Sequence, residues 1–203
     1  AEKLTELTFA ENVFFSNSGS EANEAAVKIA RKFHSVRNDN RSEIVSFQNS
    51  FHGRSLLNIS LGSSEVHRNG FEPLMPGIRH GEFNNASKLD SLITHETAAV
   101  IVEPVQGEAG VYAASQDFMK ELRKLTSSRG ALLIVDEVQS GVGRMGSLYG
   151  YMNYDITPDI VTTAKGLGGG IPIGATITTR SIGDSMQTGT HGSTFGGNPM
   201  ACA

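Results

Sequence analysis

The stretch ALLIVDE at residues 131–137 is apolar up to Val135 and then carries two carboxylates, Asp136 and Glu137. A strand that is apolar throughout, rather than at alternate positions, is typical of one that is buried on both faces of a sheet. Such strands alternate here with segments of helical periodicity: strands at 98–102 and 160–164, helices at 20–33 and 115–129. The alternation predicts an α/β fold with a mainly parallel sheet flanked by helices.

Charged residues follow three of these predicted strands, namely Glu103, Asp136 and Lys165. Ligands of parallel sheets bind at the carboxyl ends of the strands, so we expect the three side chains to meet in one crevice. Burial at a strand end would lower the pKa of Lys165 and make a neutral amine available to attack a carbonyl group. The alternative is a solvated lysine at the start of a glycine-rich loop.

Asp136 has two other interpretations. It could cap a following helix, or it could end the Walker B strand of a nucleoside triphosphatase, which has the same apolar run before Asp-Glu. A Walker B strand requires a GxxxxGK[ST] loop upstream, and the sequence has none. A buried carboxylate in this position needs a cation or several hydrogen-bond donors.

Two further segments could bind a ligand. Residues 18–23, SGSEAN, begin a predicted helix, where free N–H groups and the helix dipole favour an anion; a capped surface helix would have the same pattern. Phe51 and Arg54 offer an aromatic face and a guanidinium for a planar, carboxylate-bearing ligand. A core phenylalanine beside a solvated arginine is the alternative.

Composition narrows the function classes. The chain has 203 residues, 38% of them hydrophobic, and a net charge of -4 with no cluster of basic residues, so we expect neither nucleic-acid binding nor a membrane span. A single cysteine, Cys202, excludes an internal disulfide, and the histidines show no metal-ligand spacing, so no metal site is expected.

Taken together, the motifs resemble those of the class III pyridoxal-phosphate (PLP) aminotransferases, whose large domain has the fold type I architecture. The resemblance covers nearly the whole chain, and the motifs occur in the family's order. They are NSGSEANEAA at 17–26, SFHGR at 50–54, VEPVQGEAGV at 102–111, LLIVDEVQSGVGR at 132–144, PDIVTTAKGLGGGIPIGA at 158–175 and HGSTFGGNP at 191–199.

The resemblance implies a role for each residue around the cofactor ring. Lys165 would bind PLP through a Schiff base and then move the proton between the substrate Cα and cofactor C4′. Asp136 would pair with the pyridinium nitrogen, and Gln139 would bond the phenolic oxygen. Phe51 and Val138 would pack against the two faces of the ring.

The resemblance also assigns the phosphate. Gly19 and Ser20 would hold it through backbone N–H groups, and Thr194 would reach the phosphate bound by the neighbouring subunit, which implies a homodimer. Many relatives have Gly-Thr where this chain has Gly19-Ser20, a change that keeps the hydroxyl.

For the substrates, the resemblance implies that Arg54 binds the α-carboxylate, that Glu103 lies near the substrate, and that Glu108 is a gate that pairs with an arginine outside this chain. The FHGR and GGGIPIGA segments are most similar to acetylornithine aminotransferases. The implied reaction converts N-acetylornithine and 2-oxoglutarate to N-acetylglutamate 5-semialdehyde and glutamate in arginine biosynthesis. Ornithine, succinylornithine and 4-aminobutyrate aminotransferases remain alternatives, followed by a glutamate-1-semialdehyde-type mutase and a non-catalytic nucleotide-binding α/β module.

By resemblance, residues 1–203 are the central part of the PLP-binding large domain, without the family's N-terminal segment and C-terminal small domain. We therefore expect the chain to be a fragment that is inactive alone. The resemblance to fungal enzymes favours the mitochondrial matrix, with the cytoplasm as the alternative.

Overall fold

A seven-stranded sheet runs through the centre of the computed structural model, which describes residues 1–203. The order of its strands is β1-β9-β8-β7-β4-β2-β3, and β5 and β6 form a separate hairpin. The strands are β1 (Asn12–Ser16), β2 (Glu43–Phe47), β3 (Ile78–Gly81), β4 (Thr97–Val102), β5 (Val105–Gln106), β6 (Tyr112–Ala113), β7 (Leu132–Asp136), β8 (Ile160–Thr163) and β9 (Gly174–Thr178).

Two long helices and several short ones surround the sheet. The α-helices are α1 (Glu2–Glu6), α2 (Gly19–Ser35), α3 (Leu56–Leu61), α4 (Glu65–Arg68), α5 (Leu89–Leu92), α6 (Gln116–Arg129), α7 (Arg180–Gly183) and α8 (Pro199–Cys202). Short 3-10 helices span Ala86–Lys88, Gly150–Tyr154 and Lys165–Gly168. None of the helices combines the length and the apolar character that crossing a bilayer requires.

The sheet is mainly parallel, as the sequence predicts. Strands β3, β2, β4, β7 and β8 pair in parallel in that order. Strand β9 is the exception, because it pairs antiparallel with both β8 and β1. The carboxyl ends of β4, β7 and β8 therefore open at the same edge of the sheet, and residues 164–173 connect β8 to β9 without a crossover.

Each central strand contributes apolar side chains to both faces of the sheet. In β7, Leu132 and Ile134 belong to the core cluster that includes α2, whereas Leu133 and Val135 belong to the cluster that includes α6. This two-sided burial is why the strands are apolar at every position rather than at alternate ones.

The two long helices begin and end where the sequence provides caps. The Ser18 hydroxyl accepts a hydrogen bond from the Glu21 N–H at 3.2 Å, and Ser115 does the same for Phe118 at 3.2 Å. Helix α6 ends at Gly130, whose φ of 68° is left-handed and favours glycine. Small alanines on the buried face of α2 allow it to pack close to the sheet.

Gly174 begins β9 opposite Ser16, where the chain turns from β1 towards α2. A Cβ atom at this position would overlap the carbonyl oxygen of Ser18, a backbone atom that cannot rotate away. We expect Gly174→Ala to lower the free energy of unfolding by about 1–3 kcal/mol because of this overpacking. The urea midpoint, followed by far-ultraviolet circular dichroism, measures the loss.

Gly192→Ala is the matched control, since a Cβ atom on Gly192 would meet no heavy atom within 4 Å. Equal midpoints for Gly174→Ala and Gly192→Ala would show that the turn between β1 and α2 is not tightly packed against β9.

Candidate active site

The candidate site is a cleft of about 420 Å³ at the carboxyl ends of the parallel strands. It brings together all but one of the site residues that the sequence analysis names. These are Gly19, Ser20, Phe51, Arg54, Glu103, Glu108, Asp136, Val138, Gln139 and Lys165. Thr194 does not line this cleft; it is exposed and lines a neighbouring pocket together with Ser20 and Glu21.

Asp136 ends β7 and is only 3% exposed. Its Oδ1 atom accepts a hydrogen bond from the Val138 N–H at 3.0 Å. Its Oδ2 atom accepts one from Asn23 Nδ2 at 2.8 Å and is 2.7 Å from His52 Nδ1. These donors replace the water that an ionised carboxylate loses on burial, and they fix its orientation towards the cleft.

Asn23 and His52 contact the Asp136 carboxylate, and the sequence analysis assigned neither of them a role. Asn23 is buried on α2; its amide also donates to the His52 carbonyl oxygen at 2.8 Å, and its Oδ1 atom accepts from the Thr162 hydroxyl at 2.7 Å. A signal was available, since Asn23 is a polar residue among the alanines of the helix face that packs on the sheet. It thus connects α2, β8 and the 50–54 loop around Asp136.

Only Ala164 separates Lys165 from β8, but Lys165 is exposed, so the expected burial of its side chain is wrong. The reason is local: Lys165 lies beyond the last paired residue of the strand, in a 3-10 turn at the mouth of the cleft. Its φ of 45° is left-handed, a conformation that costs a non-glycine residue about 1–2 kcal/mol. Its Nζ atom donates to Gln139 Oε1, which joins the two polar groups that follow β7 and β8.

The start of α2 forms the other end of the cleft. The Ser18 hydroxyl accepts a hydrogen bond from the Glu21 N–H, and the Ser18 carbonyl oxygen accepts one from the Ala22 N–H. The N–H groups of Gly19 and Ser20 have no acceptor in the chain. Gly53 packs so closely on Ser20 that a Cβ atom would overlap the Ser20 hydroxyl. Two unpaired N–H groups at the positive end of a helix of this length suit an anion.

Apolar and charged groups line the remaining walls. Phe51 and Val138 are half-buried and both line the cleft. The guanidinium carbon of Arg54 lies 5.4 Å from the centre of the Phe51 ring, and the side chain is exposed. Glu108 is exposed in the turn of the β5–β6 hairpin. A flat ligand with a carboxylate at one end fits this set of groups.

Glu103 lies at the end of β4, is 5% exposed, and accepts a hydrogen bond from the Phe51 N–H at 3.1 Å. Burial raises the pKa of Glu103 to about 7, although the charge of His52 opposes the shift. The neighbouring Glu137 is also buried, and burial raises its pKa; its carboxylate accepts from Ser140 Oγ at 2.5 Å and from the Tyr151 N–H at 2.7 Å. Glu137 thereby anchors the loop that carries Val138 and Gln139.

The raised pKa of Glu103 predicts that its carboxyl is protonated at pH 6 and ionised at pH 8, in contrast to an ordinary glutamate, which ionises at about pH 4. Carbon-13 NMR of protein labelled at the glutamate carboxyl carbon should show a signal that titrates near pH 7 and disappears in Glu103→Gln.

The control is Glu96→Gln, because Glu96 is exposed and its removal leaves that signal in place. If the signal that is lost in Glu103→Gln titrates near pH 4 instead, burial does not raise the pKa of Glu103.

Comparison with known proteins identifies the family of this site. The family model described as aminotransferase class-III matches residues 1–203. Succinylornithine transaminase from Salmonella heidelberg (strain SL476) is 55% identical over 204 residues, an alignment that covers 100% of this chain and 50% of the relative. Succinylornithine transaminase from Salmonella agona (strain SL483) has the same identity and coverage. The chain thus spans about half the length of the curated relatives it matches.

Solved structures agree with this assignment. The ornithine aminotransferase of Toxoplasma gondii is 35% identical with a TM-score of 0.94, and the alignment covers 99% of this chain and 49% of that one. A Bacillus anthracis aminotransferase is also 35% identical with a TM-score of 0.94, covering 100% and 52%. An amine transaminase from an uncultivated Pseudomonas species, solved in its PLP-bound form, is 31% identical with a TM-score of 0.92, covering 100% and 53%.

These likenesses confirm the predicted fold class, the fold type I large domain. The motifs, the cleft at the ends of β4, β7 and β8, and the match over the whole length lead to one conclusion: the chain belongs to the class III aminotransferase family.

Proposed function

We propose that this chain supplies the cofactor site of a PLP-dependent transaminase that acts on an N-acylated ornithine and 2-oxoglutarate. The observation that carries the proposal is the joint placement of Asp136 and Lys165. Asp136 is the last residue of β7, and Lys165 lies just beyond the adjacent parallel strand β8. Both line the same cleft, one as a buried carboxylate and the other as an exposed amine.

The residues present fit PLP. The unpaired N–H groups of Gly19 and Ser20 suit its phosphate, and the Asp136 carboxylate suits the protonated nitrogen of its ring. Phe51 and Val138 provide apolar surface for a planar ring. These features are independent of one another, and all of them lie in one cleft.

When bound, PLP supplies a carbonyl carbon that accepts and returns the amino group and a ring that withdraws electrons from the substrate carbon bearing that amino group. The side chains do the rest. Asp136 holds the proton on the ring nitrogen, while Asn23 and His52 keep its carboxylate oriented. Lys165 is the base that takes the proton from the carbon bearing the reacting amino group, which is Cδ in an N-acylornithine, and its Nζ atom donates to Gln139.

Arg54 binds the carboxylate that lies away from the reacting carbon, which is the α-carboxylate of an N-acylornithine and the γ-carboxylate of 2-oxoglutarate. Its guanidinium lies beside the Phe51 ring and is exposed, so a substrate carboxylate can reach it. Glu108 lines the cleft from the β5–β6 hairpin and is the gate, which pairs with an arginine outside this chain when the amino donor rather than 2-oxoglutarate is bound.

For the amino donor we propose N-acetylornithine, in arginine biosynthesis, with N-succinylornithine as the second candidate. The FHGR and GGGIPIGA segments support the first. The 55% identity to proteins named succinylornithine transaminase supports the second. Both donors are ornithines acylated on the α-nitrogen, so an N-acylornithine is the substrate class that the two observations share.

We further propose that residues 1–203 are the central part of the large domain and that the enzyme works as a homodimer. Thr194 is exposed outside the cleft and near Ser20, which suits a contact with the phosphate bound by a second subunit. The active protein then includes residues beyond this chain.

Lys165→Ala should lower kcat for transamination by at least several orders of magnitude in the full-length protein, because the proton on the carbon bearing the reacting amino group loses its base. The visible absorbance band of the bound cofactor should also disappear. Lys124→Ala is the control, since Lys124 lies on α6 and pairs only with Glu121. Comparable turnover in Lys165→Ala and Lys124→Ala would rule out the role of Lys165.

A panel of amino donors tests the substrate class. With 2-oxoglutarate as acceptor, kcat/KM should be highest for N-acetylornithine or N-succinylornithine and at least tenfold lower for ornithine and 4-aminobutyrate, since each lacks the acyl amide. A preference for ornithine or 4-aminobutyrate would overturn the substrate assignment and leave the transaminase chemistry intact.

A further inference from the structure

A chain of buried polar groups extends from Asp136 away from the cleft. His52 Nδ1 lies 2.7 Å from Asp136 Oδ2, and His52 Nε2 lies 3.3 Å from the Ser46 hydroxyl. The Ser46 and Ser50 hydroxyls are 3.1 Å apart, and the Ser50 hydroxyl is 3.4 Å from the Leu61 carbonyl oxygen. We call the series Asp136, His52, Ser46 and Ser50 the relay, and each of these residues is at most 5% exposed.

The relay has a defined direction when His52 is a cation. Both ring nitrogens then carry a proton, so Nδ1 donates to Asp136 and Nε2 donates to the Ser46 hydroxyl. Ser46 in turn donates to Ser50, and Ser50 donates to the Leu61 carbonyl oxygen, which can only accept. Every donor of the relay is paired in this state.

The relay reverses when His52 is neutral. Nδ1 keeps its proton because Asp136 Oδ2 can only accept, so Nε2 becomes an acceptor. Ser46 then donates to Nε2, and Ser50 donates to Ser46. The Leu61 carbonyl oxygen loses Ser50 but keeps His80 Nε2 at 3.0 Å, so no polar group is left without a partner.

The groups around His52 act on its pKa in opposite directions. Burial alone lowers the pKa of His52, but the hydrogen bond and charge of Asp136 together with the charge of Glu103 raise it above its ordinary value. Asp136 from β7 and Glu103 from β4 are the ionisable groups that act on the ring, and Asn23 from α2 contacts only the His52 backbone. Burial lowers the pKa of His80, which keeps that ring neutral and able to donate through Nε2.

We propose that Ser46 and Ser50 are positioning residues of the cofactor site, whose reversible hydroxyl relay stabilises His52 in both protonation states and so sets the charge that the Asp136–His52 pair presents to the cleft. The Asp136–His52 pair has no net charge when His52 is a cation, and it carries one negative charge when the His52 ring is neutral. The more negative pair holds a proton on the ring nitrogen of the cofactor more strongly. This consequence for PLP rests on the proposed function, whereas the relay itself does not.

Ser46→Ala tests the relay directly. The alanine leaves a charged N–H of the cation without an acceptor, which costs more than leaving a lone pair of the neutral ring unpaired. We expect the protonation midpoint of His52 to fall by about one pH unit, a tenfold change in the proton equilibrium. Nitrogen-15 NMR of the full-length, cofactor-free protein labelled at histidine measures it, with His52→Asn to assign the signal.

Ser50→Ala and Ser185→Ala make the test specific. Ser50→Ala leaves Ser46 as an acceptor for Nε2, so a smaller shift is expected. Ser185→Ala removes an equally buried hydroxyl whose only bond is to the Ile182 carbonyl oxygen, so no shift is expected. An unchanged midpoint in Ser46→Ala, an equal shift in Ser185→Ala, or a wild-type His52 with one protonation state throughout overturns the proposal.

The cofactor provides the second measurement. In the full-length holoenzyme, the pH midpoint of the visible absorbance band should move to higher pH in Ser46→Ala and stay unchanged in Ser185→Ala, because the pair becomes more negative. A normal band that does not move in Ser46→Ala contradicts the link from relay to cofactor. A wild-type protein that takes up no PLP contradicts the proposed function instead. The NMR titration of His52 in the cofactor-free protein still tests whether the relay exists.

Discussion

The burial of Asp136 is the constraint on which the rest of the site depends. An ionised carboxylate at the end of a buried strand is tolerated only where donors replace its water. In this chain the donors come from three separate segments: the backbone after β7, helix α2 through Asn23, and the 50–54 loop through His52. Segments far apart in sequence must therefore dock in one arrangement before the carboxylate can be buried, and that arrangement is the cleft.

The same constraint explains why α2 serves two purposes. Its alanine-rich face lets the helix axis approach the sheet closely, which places Asn23 within reach of both Asp136 and Thr162. The close approach also brings the first turn of the helix, with Gly19 and Ser20, to the carboxyl edge of the strands. A larger residue on that face would move the anion site and the carboxylate support together. The small residues that α2 needs for packing on the sheet are therefore also needed for the binding site.

Much of the fold was predictable from the sequence, because strands that are apolar at every position and helices with Ser caps have strong local signals. Short helices such as α3 and α4 escaped prediction, since one turn or so does not establish a period. The reversal of β9 also escaped, because a buried strand has the same composition in either direction. Within the site, the residues at the strand ends and at the start of α2 were predicted, because their place in the sequence relative to a strand or helix is visible. The role of His52 was not predicted, because its partners Ser46 and Asp136 are set by the tertiary fold. The exposure of Lys165 was only the alternative interpretation, because it depends on where the pairing of β8 stops.

The antiparallel pairing of β8 and β9 has a consequence for how the site is assembled during folding. A parallel neighbour would require a long crossover, but β9 returns directly through residues 164–173, so the pair closes a short loop of low contact order. Lys165 lies in that loop, and its backbone is fixed as soon as the hairpin forms. The position of the Asp136 carboxylate, by contrast, depends on long-range contacts with α2 and the 50–54 loop. The amine of the site is therefore a product of local structure, whereas its carboxylate depends on the completed fold.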